Sequence, residues 1–120
     1  MQDEARLTRM SLATSIKTAQ GALMSTEPRP TAPEVLAKTE GGRALLFHYR
    51  TGEGLPPHTH AGQAVIVAVL RGRLRLTVEG EDTELTAGEV LHTRGEGHFS
   101  SLALEDDTKV LVTLLNLSPT

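Results

Sequence analysis

The sequence predicts an all-β barrel or sandwich. Three observations carry that reading. Short apolar segments recur at close spacing from about Ala44 onward. Glycine-marked turns separate them. One segment, Arg73 to Glu79, alternates apolar Leu74, Leu76 and Val78 with polar Arg73, Arg75, Thr77 and Glu79, which is the pattern of a half-buried strand.

A short strand is expected near Val35 to Ala37, and the first clear one runs from Ala44 to Arg50, closed by Thr51-Gly52-Glu53-Gly54. Pro56 and Pro57 set up an extended entry to His58. Gln63 to Leu70 is apolar on both faces, and Arg71-Gly72 turns the chain into the alternating strand. Gly80-Glu81-Asp82 reads as a hairpin turn, and Thr83 to Thr86 as a short return strand. Gly88-Glu89 opens a turn before Val90 to Thr93, and Gly95 and Gly97 bracket a tight loop. Phe99 to Leu104 and Lys109 to Leu117 complete the set, joined by the acidic turn Glu105-Asp106-Asp107. Residues 1–40 read as an N-terminal arm and proline-rich connector of the same domain, and residues 41–120 as the barrel. Asp3 to Gln20 is helical by composition, although Thr14, Ser15, Ile16 and Thr18 weaken it.

At 120 residues the chain suits one domain with a modest core. A net charge of −3 gives no electrostatic case for nucleic acid or an anionic membrane. The longest apolar run, Ala64 to Leu70, is too short to span a bilayer. The N-terminus has early acids and no apolar core of a secretory signal, so the cytoplasm is the default expectation. There is no cysteine, so any metal would be held by nitrogen and oxygen. Phe47, Tyr49 and Phe99 are the only aromatics, so the core must be aliphatic.

The chemistry concentrates in the histidines. His58 and His60 are two apart on an extended segment and project to one side. His98, brought in from a distant strand, would complete a face of three imidazoles. His92 precedes it by six residues, as a pocket-lining group or, more ordinarily, an edge residue. If Leu45, Phe47 and Tyr49 face the interior, His48 faces out and Tyr49 is the one phenol inside. Arg71, Arg73 and Arg75 read as a solvated outer face.

Gly52, His58, His60 and Gly72, followed by Gly88, Gly95 and His98, resemble the two motifs of the cupin superfamily. The resemblance covers roughly residues 40–117. It implies a double-stranded β-helix, the jelly-roll barrel of small RmlC-like cupins, with residues 1–40 as an added arm. It also implies a divalent transition metal (Fe, Mn, Ni, Zn or Cu) held by His58, His60 and His98. Val65 stands where the family usually has glutamate, and Gln63, of the same strand parity, is the candidate fourth ligand. Thr93 and Arg94 replace the usual proline, and Leu102 the usual asparagine.

Two function classes follow. One is a metal-dependent dioxygenase or related oxidoreductase acting on a small molecule. The other is a non-catalytic module that binds or senses a small ligand, with or without metal. Neither implies nucleic acid or membrane as partner. The two-sided apolar strands Gln63 to Leu70 and Lys109 to Leu117 need a second cover. They predict a homodimer with Ala64, Ile66, Ala68 and parts of the last strand near its interface.

Overall fold

The computed structural model describes residues 31–117. The helix suggested for Asp3 to Gln20 and the first half of the proline-rich connector, Pro28 to Pro30, lie outside them. Nine strands make up the fold: β1 Glu34–Thr39, β2 Gly42–Tyr49, β3 Gly54–His58, β4 Gln63–Arg71, β5 Arg73–Val78, β6 Glu81–Thr86, β7 Val90–Arg94, β8 Phe99–Ala103 and β9 Thr108–Asn116. They form two antiparallel sheets, one in the order β1-β2-β9-β4-β7 and one in the order β3-β8-β5-β6. This is the expected all-β jelly-roll barrel.

Strand alternation decides what lies between the sheets. Val65, Val67 and Val69 of β4 point inward, as do Val110, Val112 and Leu114 of β9. Leu74 and Leu76 of β5 and Phe99 of β8 meet them from the other sheet. Phe47 and Tyr49 of β2 close the core, their rings stacked with centroids 5.4 Å apart. His48, between them, is exposed and contacts Asp107 across a 2.5 Å hydrogen bond.

Three local differences from the expected pattern have physical reasons. The turn between β5 and β6 is tighter than Gly80-Glu81-Asp82. Val78 already pairs with Glu81, and Glu79 and Gly80 take left-handed φ values of 49° and 82°. A two-residue turn of that kind matches the twist of the flanking strands. The Pro56-Pro57 segment is part of a strand, β3, rather than an approach to one. Prolines lack the ladder N–H, but β3 is an edge strand, where that loss is tolerated. Finally, β1 extends two residues beyond the expected short strand at its C-terminal end and pairs with β2 along an exposed edge.

Candidate ligand site

The proline pair also aims the histidines. Leu55 pairs with Ser101 and His58 with Phe99, and the register is irregular between them. That irregularity lets Leu55 and His58, three residues apart, both face the interior. His60 follows on the same side. Its N–H donates to the Gly95 carbonyl at 2.7 Å. Gly95 permits this approach, because a Cβ there would stand 1.9 Å from the His60 carbonyl oxygen.

His58 and His60 sit at the half-buried side of an internal cavity of about 250 Å³. Its walls are apolar, formed by Phe47, Leu76, Val112 and Leu114 among others. Its lining includes no carboxylate. His58 Nδ1 lies 2.7 Å from the Pro56 carbonyl. A carbonyl only accepts, so Nδ1 carries the proton and neutral His58 keeps its lone pair on Nε2. The pKa of His60 is lowered, first by burial, then by the His58 and Arg43 charges, with a Gln63 hydrogen bond opposing.

Tyr49 and Ser101 supply the other polar groups of the lining. Burial pushes the Tyr49 phenol well above its ordinary pKa, against the opposing hydrogen bond from Ser101; the Glu53 carboxylate adds to the rise. Ser101 Oγ also accepts from the Leu55 N–H at 3.1 Å. Tyr49 therefore holds its proton and acts as a bonded wall rather than an acid.

The expected convergence of His58, His60 and His98 is not what the described residues form. β8 begins at Phe99, whose ring is 4 % exposed and points inward. By alternation His98 points out. Its N–H donates to a Glu79 carboxylate oxygen, its carbonyl accepts from the Glu79 N–H at 2.8 Å, and its side chain is 76 % exposed. Phe99 takes the third corner instead. Its ring centroid lies 4.4 Å from His58 and 5.7 Å from His60, and the two imidazoles are 5.0 Å apart.

The other expected ligands fare similarly. Val65 is fully buried and offers no donor. Gln63 does lie beside His60, but its Nε2 donates to Asn116 Oδ1 at 2.9 Å, so it orients His60 from a tethered position. His92 is exposed on the outer face, paired in register with Ile66, and does not reach the cavity. Among the described residues there is no group of three or more His, Asp or Glu suited to a metal. The donor set is two imidazoles beside a phenyl ring, with the Arg43 charge felt at His60. That set does not fit the divalent metal the fold family implies, which needs three or more nitrogen, oxygen or sulfur donors from the protein.

Phe99 and Arg43 are the site residues that sequence reasoning missed. Strand parity held the signal for Phe99. If β8 starts at residue 99, Phe99, Ser101 and Ala103 share the inward face.

Comparison with known proteins agrees with this architecture. The chain is similar to KdgF from Halomonas sp., with a TM-score of 0.66 and 23% identity over 72% of this chain and 78% of that one. It is similar to a cupin protein from Bacteroides fragilis, with a TM-score of 0.65 and 24% identity over 88% and 90%. An RmlC-like cupin protein from Desulfovibrio desulfuricans gives a TM-score of 0.65 and 21% identity over 85% and 95%. No curated protein matches the chain by sequence. At these identities the likenesses establish the fold alone. The cupin domain family model matches residues 45–112, from the middle of β2 to the middle of β9, and the chain therefore belongs to the cupin domain family.

Proposed function

We propose that this chain is a non-catalytic small-molecule-binding cupin whose barrel holds a compact apolar ligand without a metal. The observation that carries the reading is Phe99, whose ring stands against His58 and His60 where a third donor would have to be. The cavity supports it by size and lining. At about 250 Å³ it exceeds the ~150 Å³ that accepts a benzene-sized guest and falls short of the ~300 Å³ where drug-sized sites begin. The metal-dependent dioxygenase reading keeps the His58–His60 pair in its favour, but among the described residues the cavity lining offers no carboxylate to join them or to move protons.

Titration of isotope-labelled protein with toluene, followed by amide and methyl spectra, tests the proposal. Saturable shifts at Phe47, Leu76 and Val112 are expected. Shifts confined to outer residues such as Val90 and Leu115 would count against it.

A further inference from the structure

The rim of the cavity is charged, and the sign is positive. Arg43 has the same strand parity as Leu45, Phe47 and Tyr49, so it belongs to the inward row of β2. It stands one step, about 7 Å, beyond Leu45, which lines the cavity. In register it faces Leu114 on one side and Lys38 of β1 on the other. Leu114 is wholly buried and lines the cavity, which fixes Arg43 at its edge. The Arg43 charge is felt at His60, which lines the same cavity.

Arg43 makes no ion pair among the described residues. This sets it apart from Arg71, Arg73 and Arg94, each of which is held by an acid: Asp107, Glu84 with Glu105, and Glu96 respectively. Glu96, next to the Gly95 that bonds the His60 N–H, is already bonded to Arg94 and to the Gly62 N–H. A guanidinium and an ammonium thus stand side by side at the edge of an apolar cavity, and neither makes an ion pair among the described residues. Gln63 and Asn116, bonded to each other, add neutral polar groups to the same rim.

From this arrangement we propose that the ligand is an amphipathic organic carboxylate, its compact apolar body in the cavity and its carboxylate at the rim on Arg43 and Lys38. The proposal rests on the apolar-cavity reading and adds the head group to it. An arginine fork matches a carboxylate in two hydrogen bonds, and its apolar stem lies along the barrel wall without cost to the charge. Lys38 contributes as a second, solvated point charge.

Hexanoate and 1-hexanol, equal in carbon chain and different in head group, separate the two parts of the argument. Binding of each to the full chain is followed by calorimetry and by methyl spectra. Hexanoate is expected to bind at least about ten-fold tighter than hexanol, since a hydrogen bond to a charged group outweighs a neutral one by that margin. Arg43→Gln should remove most of the preference, by weakening hexanoate far more than hexanol. Arg43→Lys should keep part of it. Equal affinities in the wild-type chain, or a preference undiminished by Arg43→Gln, would overturn the carboxylate assignment while leaving the apolar cavity in place. Failure of both probes to bind would overturn the cavity reading and the head-group assignment with it.

Discussion

The ring of Phe99 lies 4.4 Å from the imidazole of His58, its partner across the β3–β8 ladder. The two side chains come from opposite ends of the chemical scale and share one inward position. His58 keeps the first half of a metal motif, and Phe99 closes the place where its complement would stand.

Restoring that complement is the first expectation. The three rings form a triangle with sides of 4.4, 5.0 and 5.7 Å. Phe99→His places a third imidazole at the vacant corner, and zinc or nickel affinity should rise at least about ten-fold over the wild type. Isothermal titration of both proteins checks it. Equal affinity would show that the triangle is not a ligand geometry.

Phe99 also carries packing. It joins the core cluster of Leu74, Leu76 and Val110. Phe99→Ala should cost about 3–5 kcal/mol of stability, as truncation of a buried phenylalanine does. Urea unfolding measures it. A loss below about 1 kcal/mol would mean that the ring is not held in the core as described.

His60 sets a pH dependence whose sign can be worked out. Its folded pKa lies below the unfolded value, so the unfolded chain binds more protons over the interval between them. The contribution to stability is fully present above the unfolded value of about 6.5 and falls as the pH drops through the folded one. Asp106, Asp107 and Glu96 are lowered too, by hydrogen bonds from Thr51, His48 and the Gly62 backbone respectively, but their losses fall in a separate window below about pH 4.5. Thermal melts between pH 5 and 7 should therefore show a lower melting point at the acid end, and His60→Gln should flatten that slope. An unchanged slope in the variant would contradict the assignment.

Much of the architecture was legible in the residues, and the reasons are particular. The alternation of Leu74, Leu76 and Val78 and the glycine punctuation pointed to β5 and its neighbours, because period-two burial leaves a direct trace in the chain. Phe47 and Tyr49 inward with His48 outward followed from the same rule. β3 was obscured, since two prolines argue against a strand unless it is known to lie at an edge. The half-site His58–His60 was legible from spacing. The third corner was not, because Phe99 and His98 are adjacent and a one-residue shift in where β8 begins exchanges which of them faces inward. Arg43 escaped notice because its place at the rim depends on the pairing of β2 with both β1 and β9.

The outer face of the five-stranded sheet predicts self-association. Leu46, Leu111, Ala68 and Val90 form one row across it, and Ala44, Thr113, Ile66 and His92 the next. Val90 is 61 % exposed and Leu115 43 %. An apolar row of this kind favours a twofold partner, so a homodimer is expected, and Ile66→Glu should dissociate it. Light scattering that returns a monomer mass for the wild type at micromolar concentration would contradict the expectation.

Two histidines and a phenylalanine are proposed to make an apolar receptor rather than a metal centre. Elemental analysis of untagged protein, incubated in turn with iron, manganese, nickel, zinc and copper and then desalted, tests it most directly. Substoichiometric metal is expected in every case, unaltered by His58→Ala. One tightly held metal per chain, lost in His58→Ala, would contradict it.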